Sequence, residues 1–139
     1  MIGEAPMKIY HSETAKPVDR FVSDLGKMAK ARGFQVHNED RMEMAHLFGR
    51  HGVEVAKDFD LHMIQICKPE KAAISLSKNP ERSVLMPKFI MTFSKDGRTQ
   101  IRFVHYSPET VRALVDDDEF PVSLKESFAQ IIAIIEAAR

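Results

Sequence analysis

One thiol dominates the chemistry available to this chain. Cys67 is the single cysteine, and Leu61 to Cys67 followed by Lys68-Pro69 reads as a strand running into a proline-opened helix. Free backbone N–H groups at a helix start favour thiolate over thiol, and the Lys68 ammonium acts in the same direction. That placement predicts a lowered Cys67 pKa and a binding rim made of Cys67, Lys68 and Pro69. Three roles suit such a thiol: a redox sensor, a soft ligand for copper, zinc or haem iron, or a nucleophile. The bland alternative is a small buried apolar residue, which free cysteine usually is.

The six histidines add one further constellation. His62 shares a predicted strand face with Ile64 and Ile66, and His105 shares one with Ile101 and Phe103. If both faces turn inward the imidazoles approach each other, and His62, Cys67 and His105 form a candidate metal set. Histidines that are satisfied or solvated are the better reading of the two, and the cofactor stays unknown, with a metal ion or haem as candidates and an oxidant as the other candidate ligand. His46 and His51 are five apart, on different helix faces, and match no compact metal spacing. Met42, Met44 and Met63 could supply soft ligands, although methionine more often fills gaps in a core. A Cys-x-x-Cys-His haem attachment, a Gly-rich phosphate loop and a nucleophile elbow are all missing. A catalytic Cys67, as in thiol or sulfur transfer, would need a histidine base, and strand alternation turns His62 away from it. The residues thus favour a binding or sensing domain over that enzyme or a purely structural assembly domain.

These groups must be positioned by an ordinary globular chain. Its 139 residues suit one domain, with about residues 1–6 as a flexible N-terminal segment. Lys+Arg and Asp+Glu both number 20, and this balance argues against general nucleic-acid binding, which needs a cationic field. The N-terminus lacks signal-peptide character, and no apolar run approaches the roughly 20 residues that span a bilayer. With one unpaired cysteine, the expected location is the reducing cytoplasm.

Along the chain, Met7 to His11 predicts a short strand. Val18, Phe21, Val22, Leu25 and Met28 recur at helical spacing, with Pro17 at the first helical position and Gly33 as the left-handed stop. Phe34 to Val36 resumes as a strand. Asp40 and Glu43 have capping-box spacing ahead of a short helix ending near Gly49. Leu61 to Cys67 is apolar on both faces, as a central strand is. Pro69 opens a helix packing through Ala72, Ala73 and Leu76, which Asn79-Pro80 breaks. Asp96-Gly97 joins two alternating strands as a hairpin, the second running from Thr99 to Tyr106. Ser107-Pro108 starts a helix backed by Val111, Leu114 and Val115. Asp116 to Glu119 reads as a solvated connection, and Ser123 to Glu126 as the capping box of a long last helix. The architecture expected is α+β, with helices on one face of an antiparallel sheet.

Several of these features occur in a familiar order: Lys30-Ala31-Arg32-Gly33-Phe34, Cys67-Lys68-Pro69, Asn79-Pro80, Leu85-Met86-Pro87, Asp96-Gly97 and Ser107-Pro108. In that order and spacing, from Val18 to Ala137, the chain resembles the bacterial and archaeal domain of unknown function family numbered 302. The resemblance implies a TATA-binding-protein-like fold, β-α-β-β-β-β-α with short extra helices, and a symmetric homodimer. It implies no DNA binding, because a fold does not carry a function. The dimer would use the Gln100, Arg102, Val104 and Tyr106 face, since Tyr and Arg are enriched at interfaces. Family members often read Cys-Asn-Pro where this chain has Cys67-Lys68-Pro69. They often have glycine at Gln65, arginine at His62 and a second cysteine at Lys88. A site built on that second cysteine or that asparagine would not carry over.

Overall fold

The computed structural model describes residues 5–139. The flexible segment expected over residues 1–6 lies, up to residue 4, outside the described residues. Pro6 is already tied down, its carbonyl accepting from the Ser107 N–H at 3.1 Å. Strand β1 (Met7–Thr14) leads to helix α1 (Val18–Ala31), the two-residue strand β2 (Gln35–Val36) and helix α2 (Met44–Arg50). Strand β3 (Leu61–Cys67), helix α3 (Pro69–Lys78) and a 3-10 turn (Pro80–Leu85) precede the hairpin β4 (Phe89–Lys95) and β5 (Arg98–Tyr106). Helices α4 (Pro108–Leu114) and α5 (Phe120–Ala138) close the chain. With the short helices set aside, the order is β-α-β-β-β-β-α.

The five strands form one antiparallel sheet in the order β1-β5-β4-β3-β2. Strand β3 is interior, as expected, with β4 along one side and β2 covering two of its residues on the other. Beyond β2 the Asn38 side chain takes over the edge. Its amide donates to the Met63 carbonyl and its oxygen accepts from the Gln65 N–H, both at 2.8 Å. Strand-edge groups that would otherwise stand open are thereby satisfied.

Alternation decides which face meets the helices. Ile64, Ile66, Ile90, Thr92, Ile101 and Phe103 point toward α1 and α5 and are buried, while Met63, Met91, Phe89 and Val104 point the other way. Helix α5 supplies Leu124, Phe128, Ile131, Ile134 and Ile135 to one contiguous core shared with Phe21, Leu25 and Ala29 of α1. Each fully buried aliphatic side chain there contributes roughly 1.5–3 kcal/mol. Helix α2, by contrast, has no buried residue.

Local signals match the structure in some places and not in others. Gly33 has φ +78° and ends α1 through the left-handed region, as glycine can without strain. Ser107 caps α4, its hydroxyl accepting from the Thr110 N–H. Pro17 is not in the first turn of α1 but caps it with extended ψ, one residue earlier than expected. Glu43, not Asp40, caps α2, its carboxylate accepting from the Ala45 and His46 N–H groups at 3.1 Å. Ala73 and Leu114 face solvent instead of packing. Ser123 lies inside α5, which begins at Phe120, because Asp117 supplies the cap and its carboxylate accepts from the Glu119 and Phe120 N–H groups.

Asp117 also overturns the reading of residues 116–119 as merely solvated. Arg82 on the 3-10 turn meets it with a two-pronged ion pair, Nε at 2.6 Å and Nη2 at 3.0 Å. Both side chains are buried, 6% and 7% exposed, and Asn79 Nδ2 adds a third bond at 2.8 Å. The guanidinium holds the Asp117 carboxyl well below the usual carboxylate range.

Candidate functional site

Cys67 ends β3 where Gln35 of β2 pairs with it, and the chain turns at Lys68 into α3. There Cys67 and Lys68 line a narrow crevice between the end of β3, the first turns of α3 and the start of α5. Phe34, Phe120 and Leu124 form its apolar wall. Only about 20 Å³ is open to the centre of a water molecule, enough for roughly one water. Pro69, the third residue expected on the rim, is exposed and stands outside the lining.

Two further lysines complete the crevice, and neither was among the expected site residues. Lys71 reaches from α3 to α5, where Nζ donates to Ser127 Oγ at 3.0 Å and to the Ser123 carbonyl at 3.2 Å. Burial lowers its pKa. Lys88 precedes β4, its backbone carbonyl accepting from the Ile66 N–H at 3.0 Å. Its residue is only 8% exposed. Its Nζ donates to the Met86 carbonyl at 3.0 Å and lies 3.8 Å from the Met86 sulfur. Burial, and to a lesser degree the positive Lys71, lowers the Lys88 pKa to about 8, with the adjoining Cys67 acting in the opposite direction. No ion pair joins Lys68, Lys71 or Lys88 to a carboxylate among the described residues. The pattern that could have exposed Lys88 was its place on the inward-facing side with Ile90 and Thr92.

The thiol itself departs from expectation. Burial pushes the Cys67 pKa up, and the cation that opposes this is Lys88 rather than Lys68. Desolvation of a thiolate beside Phe34 and Leu124 outweighs the pull of the helix start. Lys68 instead lies over the Phe34 ring, its Nζ 5.6 Å from the centroid, and its Cε would sit 3.4 Å from a Cβ placed on Gly33. Helix α3 has no side-chain cap at Lys68.

The metal set does not assemble. His62 pairs with Thr92, and Thr92 with Ile101, so His105 lies two strands away and four residues further along. That displacement is about 13 Å along the strands and about 10 Å across them, or roughly 16 Å in all. Cys67 lies at the far end of β3, five residues beyond His62, and lines the crevice instead. His105 stacks on Phe103 and tilts against Phe128, while His62 Nδ1 lies 3.7 Å from Asp60. Among the described residues no group of three potential ligands could hold a metal ion. The sulfur beside the crevice is that of Met86, not of Met42, Met44 or Met63. No imidazole lines the crevice, so a histidine-activated Cys67 has no base there among the described residues.

The open face of the sheet carries a second concavity. Ile9, Met63, Phe89, Met91, Val104 and Tyr106 line about 420 Å³ of it, with Arg102 at its side. Arg102 packs over Phe93 and donates to Gln100 and to the Ser12 carbonyl. Among the described residues no helix is long and apolar enough to cross a membrane.

The sequence profile of the domain of unknown function family DUF302 matches residues 10–138. Among solved structures, an uncharacterised conserved DUF302 protein from Bacillus stearothermophilus superposes with a TM-score of 0.75 at 16% identity, over 94% of this chain and 98% of that one. At that identity the likeness speaks for the fold. Among curated proteins no match is found. The family match runs from within β1 to the end of α5, and the chain belongs to the DUF302 family.

Proposed function

We propose that this protein is a homodimeric binding domain whose ligand, a small anion, enters the crevice beside Cys67. The observation that carries this reading is the convergence of Lys68, Lys71 and Lys88 on one small crevice with no carboxylate in its lining. Such a cluster repels a metal cation and favours negative charge. The uncapped start of α3 favours negative charge as well. A thiol with a raised pKa is a poor sensor of oxidants and a poor soft ligand, so an anion replaces the metal, haem and oxidant expected from the sequence. Haem is also far larger than the crevice.

The dimer reading draws support from the sheet face that no helix covers. Met7 and Ile9 are more than half exposed there, beside Val104. Apolar patches of this kind mark contact surfaces. The lone thiol of Cys67 fits a reducing compartment, and the cytoplasm is the location this reading assigns.

Titrating the protein with oxalate while following backbone amide resonances tests the crevice. Shifts should centre on the residues around Cys67, and Lys71→Ala should weaken binding by about tenfold, ~1.4 kcal/mol. Shifts scattered over the surface, or none, would end the reading. Sedimentation of the unmodified chain and of Val104→Asp tests the assembly. A dimer converted to monomer supports it, and a monomer throughout removes it.

A further inference from the structure

A buried lysine normally has a carboxylate partner, because burying an unpaired ammonium is costly. Lys88 has none among the described residues, and its amine is held only by the carbonyl and thioether of Met86. Its neighbours in the crevice are two other amines and a thiol. Desolvation and adjacent positive charge are the two devices that make a lysine amine nucleophilic toward carbonyl carbon. Both operate at Lys88.

We propose that Lys88 captures a short 2-oxo acid as an imine, with Lys68 and Lys71 holding the carboxylate. This rests on the reading of the crevice as an anion site and names the ligand class. The neutral Lys88 amine attacks the oxo carbon, and the carbonyl π bond breaks to leave oxygen with the electron pair. Nitrogen gives up both of its protons in net terms, oxygen departs as water, and the C=N bond forms. No further reactant is consumed. Lys71 and the protonated Cys67 thiol line the same crevice and are the available acids for the departing oxygen. With the Lys88 pKa at about 8, a neutral fraction on the order of a tenth exists at neutral pH. The crevice as it stands has room for roughly one water, so the proposal requires the half-buried Lys68 chain to swing aside on binding, and the shortest members, glyoxylate before pyruvate, need the least opening.

The test is reductive trapping. Full-length protein is treated at neutral pH with limiting glyoxylate or pyruvate and cyanoborohydride, digested, and mapped by mass spectrometry. The expected result is one dominant adduct on Lys88, favoured for glyoxylate, suppressed by excess oxalate and lost in Lys88→Arg. Lys88→Met serves as a second variant, and circular dichroism confirms that each is folded. Oxalate bound at the crevice without a Lys88 adduct would overturn the imine and leave the anion site standing. No oxalate binding, together with adducts distributed over exposed lysines, would overturn both. A Lys88 adduct that oxalate fails to suppress would overturn the role given to Lys68 and Lys71.

Discussion

Arg82 and Lys88 are two buried cations six residues apart, and the protein treats them in opposite ways. Arg82 is saturated: Asp117 takes two of its nitrogens, Ser75 Oγ accepts from Nη1 at 2.9 Å, and the Phe120 ring packs against it at 5.5 Å. Lys88 has the positive Lys71 nearby and only a neutral carbonyl and a sulfur as partners. A buried charge that is fully paired fixes structure, here joining the 3-10 turn to the cap of α5. A buried charge left without its opposite is a standing cost, and such costs concentrate where a ligand is expected to supply the missing charge or where the amine reacts.

The largest effect should come from breaking the saturated partner. Asp117→Ala leaves the buried Arg82 guanidinium with only the exposed Glu119 carboxylate as an ion partner, at 3.6 Å, and uncaps α5, and denaturant unfolding should show a loss of about 3 kcal/mol. A loss under ~1 kcal/mol would mean that the two cations differ less than their contacts suggest. Lys88→Met should go the other way. Lowering the pKa from 10.5 to about 8 corresponds to a burial cost on the order of 3 kcal/mol, and losing the Met86 bond returns about 1. A net stabilisation of about 1–2 kcal/mol is expected, read in the same assay.

Their pH dependences should also oppose each other. The lowered Asp117 pKa contributes stability that is present above the unfolded value near 4 and is lost as pH falls below it. For Lys88, both states are protonated below about 8, and the burial cost is constant there. Between about 8 and 10.5 the folded amine has shed its proton while the unfolded one keeps it, so this group makes stability climb with pH. Lys88→Met should flatten the alkaline climb and leave the acid limb intact. The smallest effect falls on Cys67. Alkylation at neutral pH should be slower than for a free thiol, and slower still in Lys88→Met, which removes the cation opposing the upward shift.

The elements were largely legible because turn chemistry is local. Asp96-Gly97, Gly33 and Ser107-Pro108 each declare a backbone state within two or three residues, and the sheet and helices follow from the apolar spacing between them. The site was legible only at its strand end. Cys67 and Lys68 sit on a recognisable junction, but Lys71 and Lys88 reach the crevice through contacts that span the sheet and α5, and no spacing encodes those. Asp117 illustrates the same limit. Within Asp116-Asp117-Asp118-Glu119 it looks like one solvated charge among four, and only its meeting with Arg82 distinguishes it. The histidine pair failed for a related reason: strand faces can be read from alternation, but the register that separates His62 from His105 cannot.

Helix α2 has no buried residue and is held by the Glu43 cap at its start, by half-buried side chains resting on β3 and by the Phe48–Phe59 ring contact. A segment with so little at stake opens without disturbing the sheet. Its amides should be the first helical ones to exchange with solvent, and trypsin should nick the native chain after Arg50 before it cuts within α5. The same looseness makes the Arg50–Gly52 turn the natural place to splice in a reporter peptide, where an added segment would leave the lysine-lined crevice undisturbed.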